Sequence, residues 1–340
     1  MTGYKVSQVK PAKFEPSGDL LTGETADVYF ARTIDILRHE RLNPVATMQV
    51  FPSRAGILCG IEEVKALLSR VLPEDKREVW ALTEGDTMAA KEVVLRITAP
   101  YQSYGLYETS LDGILSHCSG WATAARQCVE AARGIPIISF GVRSVHPSVV
   151  GLADYSAIIG GCAGCSSIAG AKLAGIEPSG TIPHALILVM GDTVKATLAF
   201  NKYMPPEVPR ISLVDTFKDE AEESLRVAEA LGEKLNSVRL DTPVERGRVT
   251  ADLVKEVRAR LDLAGYKHVR IFVSGGINPE RINYFLENGA PVDGFGAGRY
   301  ISGASPIDFT ADLHEVNGKP IAKRGRIPGI MPNPRLKRIM

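Results

Sequence analysis

A chain of 340 residues, 45% of them apolar, can bury a sizeable core and has room for two domains or one large barrel with additions. Its 40 basic and 39 acidic residues leave a net charge of +1, which excludes a global electrostatic pull toward nucleic acid or a membrane surface. No apolar run of the roughly 18 residues needed to span a bilayer occurs, so no membrane partner is expected, and five cysteines, an odd number without a signal peptide, suit a reducing cytoplasm.

The first hundred residues carry short apolar segments, Met48–Phe51, Ile57–Ile61, Glu78–Leu82 and Glu92–Ile97, separated by turns and charged runs. Val64–Val71 reads as an intervening helix, and Glu84-Gly85-Asp86 as a turn. Together they predict a small α/β domain over residues 1–110. Tyr107–Arg133, rich in Ala and Leu, predicts one or two helices ending at Gly134-Ile135-Pro136. A βα rhythm follows, with apolar runs beginning near Ile137, Ile187, Ile211, Val238, Val269 and Val292. The last four starts lie about 23 to 31 residues apart, the length of a βα unit. Asp219–Leu235 is amphipathic, with Ala221, Leu225, Ala228 and Leu231 on one face, and Leu253, Val254, Val257 and Leu261 mark another helix.

Near-continuous strands alternating with one-faced helices imply a parallel sheet covered by helices. No early GxGxxG follows the first strand, which favours a barrel over an open sheet. The expected fold is an irregular TIM-like (β/α) barrel over residues 111–310, with the smaller α/β domain before it and a basic segment, residues 311–340, after it, the tail expected to join the α/β domain. From Val316 onward there are seven Lys or Arg and no Asp or Glu. By default such a run is a solvated tail; the alternative is a contact with a polyanionic substrate.

In a barrel, chemistry gathers at the C-terminal ends of strands. Phe140-Gly141-Val142-Arg143, Asp215-Thr216, Arg239-Leu240-Asp241, Ser274-Gly275-Gly276 and Gly296-Ala297-Gly298 all stand there. Arginine suits bidentate phosphate contacts, aspartate suits ribose hydroxyls or Mg²⁺, and glycine loops let a backbone approach a phosphate. Asn278-Pro279 is placed to open a helix whose N-terminus would add to that anion site. A lone histidine beside a strand is ordinarily a packed rim residue. His184 differs in following the turn Gly180-Thr181-Ile182-Pro183, and is a candidate base or nucleophile. Cys162-Ala163-Gly164-Cys165 lacks the second pair of ligands that zinc needs, so no metal site is expected.

These landmarks, in this order, resemble the nicotinate phosphoribosyltransferases of the type II phosphoribosyltransferase group over about residues 20–305. Thr25-Ala26-Asp27-Val28-Tyr29 and Tyr107-Glu108-Thr109 complete the set. The resemblance implies a cytoplasmic, ATP-dependent, ligase-type enzyme of NAD biosynthesis. It would join nicotinate to phosphoribosyl pyrophosphate with Mg²⁺ and couple ATP hydrolysis through a phosphohistidine at His184. It implies Tyr29 from a partner subunit and Phe140 on the two faces of the pyridine ring, hence a homodimer or larger assembly. Arg143 and Arg239 would meet phosphate or ring substituents. Asp241 would meet the ribose, Asp215 would stand with the substrate-binding set, and Gly275, Gly276, Gly296 and Gly298 would hold the 5′-phosphate. Ser166, where nicotinamide-using relatives carry an Asp, favours an acid over an amide, because a hydroxyl donates to a carboxylate. The sequence departs from the family at Asp241-Thr242-Pro243, which lacks a second acid. The alternatives are a nicotinamide or a quinolinate phosphoribosyltransferase, or a non-catalytic phosphate- or nucleotide-binding homologue. The segment around His184 weighs against the quinolinate enzyme, which would need Arg, Lys and His for two carboxylates.

Overall fold

The computed structural model describes residues 14–340; the first 13 residues of the expected N-terminal domain lie outside the described residues. Two six-stranded sheets organise the molecule.

The first sheet is antiparallel. Its central strand Val45–Pro52 lies between Leu95–Pro100 and Phe309–Val316, and the edges are Lys319–Pro320 on one side and Glu78–Ala81 with Lys337–Arg338 on the other. Met48 faces Ile97 in one register and Leu313 in the other. The central strand is buried along its length after Val45. Met48, Val50, Ile97 and Val79 join Val64, Leu67 and Leu68 of the helix Ile61–Val71 and Leu111 and Leu115 of the helix Glu108–Ala131 in one core. A fully buried aliphatic side chain of this kind contributes about 1.5–3 kcal/mol.

The C-terminal segment is sewn onto this sheet. Buried Gln49 exchanges two hydrogen bonds with the Met331 backbone, each 2.9 Å. Lys323 and Arg326 both pair with Asp312, at 2.6 and 2.7 Å, and Arg335 pairs with Glu92 at 2.7 Å. Three of the seven basic residues are therefore matched by the molecule's own acids.

The opening turns of Glu108–Ala131 bring carboxylates together. Burial first, then the charges of Asp308 and Asp312, push Asp112 up to about 7. Burial, then Asp112, does the same to Glu108. An acid whose folded pKa lies above its unfolded value of about 4 holds its proton more tightly when folded, so stability falls as pH rises from that value through 7. The expected result is that Asp112→Asn raises Tm at pH 8 by a few degrees and not at pH 5. Equal shifts at both pH values would contradict this origin.

The second sheet is parallel, in the order Gly164–Cys165, Ile137–Ser139, Gly294–Ala297, Arg270–Val273, Ser237–Leu240, Ile211–Leu213. Helices Glu220–Leu231, Ala251–Leu263 and Pro279–Glu287 cover it, and Val227, Val254, Val257, Ile282 and Phe285 share one core with the strand residues Val238, Ile271, Val273 and Phe295. Each helix is capped by the residue before it: Asp219, Thr250 and Asn278 accept a backbone N–H bond from Ala221, Leu253 and Arg281.

The sheet curls but does not close, so the expected barrel is corrected to a half-barrel. The two end strands, Gly164–Cys165 and Ile211–Leu213, pair with one neighbour each. Between them run three helices, Ile168–Ala174, His184–Met190 and Thr193–Tyr203, with no strand. The apolar run at Ile187, read as a strand, is a helix. Pro183 precedes it, and Gly191 ends it in the left-handed region at φ 74°. Only Ile187 of this helix is buried, while Val189 is 87% exposed.

Candidate active site

The C-terminal ends of the parallel strands surround a cavity of about 770 Å³. Arg143, Ser166, Arg239, Asp241, Arg299 and the glycine loops line it.

Ser274-Gly275-Gly276 leaves the strand Arg270–Val273 with Gly275 at φ 87° and Gly276 at φ 69°, a backbone that L side chains rarely adopt. A Cβ on Gly275 would stand 3.0 Å from Asp241 Oδ1, and one on Gly276 would stand 3.0 Å from Arg248 Nη1. The loop therefore threads between an acid and a base, and runs into the N-terminus of Pro279–Glu287, where unpaired N–H groups favour an anion. Gly296 and Gly298 have a different local reason. A Cβ on Gly296 would come 2.6 Å from the Phe140 ring, and one on Gly298 would come 3.1 Å from the Phe140 carbonyl oxygen. Their smallness lets Phe140 lie across the end of the neighbouring strand, where Phe140 N–H donates to Ala297 O at 2.8 Å.

Arg239 is the most enclosed cation of the cavity, its side chain 13% exposed. Its Nη1 donates to Thr181 Oγ1 at 2.6 Å, Nη2 lies 3.8 Å from Asp241 Oδ2, and the guanidinium sits 5.8 Å from the Phe140 ring centre. Burial lowers its pKa, opposed by Asp241 and Asp215. Asp241 is held by Ser274, whose hydroxyl donates to Oδ1 at 2.9 Å. Thr242, where the sequence lacks a second acid, turns inward and donates to the buried Glu220 carboxylate at 2.6 Å.

Ser166 presents a buried hydroxyl without a hydrogen-bond partner to the cavity. Buried Asp154 fixes the adjoining turn by accepting from Ser167 N–H and Ser139 Oγ, both at 2.8 Å. Among the described residues, Arg143 enters no ion pair and stands free at the rim.

His184 opens the helix His184–Met190, and its Nε2 lies 3.0 Å from Asp215 Oδ2. The Asp215 side chain is 1% exposed, and its other oxygen has no partner. Burial raises its pKa against the opposing His184 contact. Neither residue lines the cavity itself, although both stand near its rim: Asp215 is close enough to influence Arg239. Tyr29 is farther away. It lies on the helix Val28–His39, 56% exposed, with its hydroxyl donating to Asp27 at 3.0 Å, and one chain does not bring it to the cavity. Cys162 and Cys165 are buried free thiols, and burial pushes Cys165 up to about 12. The sequence motifs did not single out Ser144 and Tyr300 of the lining, or Arg248 beside it.

Two family models match the chain. Residues 27–119 match the quinolinate phosphoribosyl transferase N-terminal domain, and residues 121–312, more than half of the chain, match the C-terminal domain of the same enzyme. The chain belongs to the quinolinate phosphoribosyltransferase family. A crystal structure of nicotinate-nucleotide pyrophosphorylase from Pyrococcus furiosus is 43% identical, with a TM-score of 0.85 over 94% of this chain and 82% of that one. Human nicotinic acid phosphoribosyltransferase shares the fold at 20% identity, with a TM-score of 0.71 over 89% of this chain and 77% of its own. A nicotinate phosphoribosyltransferase of Mycobacterium tuberculosis is 32% identical over 224 residues, 65% of this chain and 47% of the relative. The chain spans about half the length of the curated relatives it matches.

Membership of the quinolinate family corrects the expected identity as a nicotinate phosphoribosyltransferase. It also removes ATP as co-substrate, the ligase-type coupling and the phosphohistidine at His184. The misreading has a physical origin. The landmarks at Arg239-Leu240-Asp241 and the glycine loops combine an arginine, an acid and glycine turns, a pattern that says little about which acceptor a site takes. Phosphoribosyl transfer in NAD biosynthesis remains common to both readings. No helix among the described residues is long and apolar enough to cross a membrane.

Proposed function

We propose that the chain transfers the phosphoribosyl group of phosphoribosyl pyrophosphate to quinolinate, without ATP, in the cavity at the end of the parallel sheet. The observation that carries this reading is one cavity pairing a glycine-lined cradle with three arginines, Arg143, Arg239 and Arg299. The donor brings a 5′-phosphate and a pyrophosphate, and quinolinate brings two carboxylates. Such a load of negative charge needs several guanidinium groups, and the unpartnered Ser166 hydroxyl adds a donor for a carboxylate.

The chemistry follows from this placement. The pyridine nitrogen attacks C1 of the ribose as the bond from C1 to pyrophosphate breaks, through a transition state with cationic character at C1. The Asp241 carboxylate, oriented by Ser274, offsets that charge and meets ribose hydroxyls. Arginines neutralise the departing pyrophosphate. Quinolinate has two carboxylates and nicotinate nucleotide one, so the carboxylate beside the nitrogen leaves as CO₂. The electron pair it leaves on carbon is stabilised by the adjacent positive nitrogen and takes a proton from solvent.

Mg²⁺ suits the donor as its counter-ion. Such an ion would bridge the oxygens of the pyrophosphate. His184, held through Nε2 by Asp215, keeps Nδ1 for a contact to the leaving group. Tyr29 lies on a helix with one buried residue and exposed Val28 and Ile36, which suits a homodimer in which this helix completes the neighbour's cavity. Five buried free thiols suit a reducing cytoplasm. The test supplies phosphoribosyl pyrophosphate, Mg²⁺ and quinolinate labelled in the carboxylate beside the nitrogen. Labelled CO₂ released in step with pyrophosphate is expected; pyrophosphate without CO₂ would overturn the acceptor assignment.

A further inference from the structure

Arg248 is a cation that neither the sequence motifs nor the cavity lining singled out, and its setting is unusual. It adopts φ 64°, a left-handed backbone that costs a non-glycine residue, directly after Gly247 at φ 87°. The loop that holds it is closed by its own backbone: Arg246 N–H and Arg248 N–H both donate to Pro243 O at 3.1 Å. Beyond it begins the helix Ala251–Leu263, so the strain sits in the connection between the strand Ser237–Leu240, which leads into Asp241, and its following helix.

Strain of this kind persists where the surroundings impose it, and here it brings an exposed guanidinium to the phosphate-type loop. Arg248 Nη1 is the atom that a Cβ on Gly276 would meet at 3.0 Å. Among the described residues, no carboxylate forms an ion pair with Arg248 and no acceptor receives a hydrogen bond from its guanidinium. The nearby Arg281 is also cationic; burial first, and the Arg248 charge in addition, lower its pKa. Two like charges near an anion-binding backbone, one of them unpaired, leave an electropositive place without an anion of the protein's own. On the other side of the same loop, Gly275 abuts Asp241. An acid at one glycine suits ribose hydroxyls, and a base at the next suits a phosphate.

We propose that Arg248 is a binding residue for the 5′-phosphate of the ribosyl donor, clasping the phosphate against the Gly275-Gly276 loop. This rests on the phosphoribosyl reading above and adds the direction in which the donor lies: ribose toward Asp241, phosphate toward Arg248. The residue touches the end of the substrate remote from the breaking bond. Its loss therefore weakens donor binding without slowing the chemical step.

Arg248→Gly separates this role from a structural one, because glycine accepts the left-handed backbone that arginine strains to adopt. Arg248→Asn, which tolerates the same backbone, serves as a second variant. The measurements are Tm, the steady-state constants for phosphoribosyl pyrophosphate and for quinolinate, and the Kd of ribose 5-phosphate by calorimetry. The expected results are an unchanged or higher Tm, a KM for phosphoribosyl pyrophosphate and a Kd for ribose 5-phosphate both raised about tenfold, and kcat within about twofold of the parent, the scale of one exposed charge-assisted contact. Unchanged KM and Kd in both variants would overturn the proposal, as would a fall in kcat with KM unchanged. If the parent binds ribose 5-phosphate and the variants bind it more weakly, but no pyridine acid is converted, Arg248 keeps its assignment and the transferase reading fails. If the parent does not bind ribose 5-phosphate, both fall.

Discussion

Arg239→Ala is expected to lower kcat/KM for phosphoribosyl transfer by about a thousandfold, the upper end of what one preorganised donor contributes. The residue is enclosed, bonded to Thr181 at 2.6 Å, set beside Asp241 and near the Phe140 ring. Its removal acts twice. The departing pyrophosphate or a substrate carboxylate loses a guanidinium, and the carboxylates of Asp215 and Asp241 lose the cation that offsets them at the rim. Burial already raises the Asp215 pKa, so without Arg239 its proton is held more tightly still. The activity that remains should therefore need a higher pH than that of the parent. Arg239→Lys restores the charge but not the planar fork, and should recover a minor part of the loss. Full activity in Arg239→Lys would show that a point charge suffices and that the bond to Thr181 is incidental.

Asp241→Asn is the second large effect, about a hundredfold in kcat with little change in KM for either substrate, because it removes charge where the transition state is most cationic. The shape of the site survives this change. Ser274 can still donate to the amide oxygen, and Gly275 leaves room for the side chain. A loss confined to KM would assign Asp241 to ground-state binding of the ribose instead. Paired with Arg239→Ala, the double variant should lose less than the product of the two single losses, since the groups lie 3.8 Å apart and share one environment.

The βα units starting near Ile211, Val238 and Val269 were legible because an apolar strand run is followed by a helix signal, whereas the strand Gly294–Ala297 is followed only by the four-residue helix Arg299–Ser302. The caps at Asp219, Thr250 and Asn278 then set where each helix starts. The half-barrel was not legible, because the stretch that would have supplied a strand at Ile187 is an apolar run too short for periodicity to decide. Pro183 and Gly191 carried the helical signal there, and the exposed Val189 gives no burial pattern to read. The sequence placed the C-terminal segment with the N-terminal domain but showed its charge and not the partners of that charge. Asp312, on the strand just before it, binds Lys323 and Arg326, and Glu92, far away in the chain, binds Arg335.

Arg143, Arg239, Asp241 and the four glycines, read at strand ends, line one cavity together with Ser166, which the resemblance supplied. His184 and Asp215 pair beside it, and Tyr29 stays on a separate helix. Gly296 and Gly298 also have a packing role, leaving room for Phe140, that the motif alone could not reveal. Arg248 was hidden for the opposite reason. A left-handed loop moves a side chain to a place that neither strand nor helix periodicity predicts.

The acceptor was the hardest part to read. In the proposed reading, the residues that would meet the acceptor's carboxylates are single side chains from different strands, with no spacing to betray them, whereas the glycine loops are continuous in sequence. One measurement tests the central claim most directly: formation of nicotinate mononucleotide from phosphoribosyl pyrophosphate and Mg²⁺, with quinolinate or nicotinate as the acceptor, each with and without ATP. Quinolinate should be converted at the same rate whether or not ATP is present, and nicotinate should not. Conversion of nicotinate alone, accelerated by ATP and accompanied by its hydrolysis, would contradict the account.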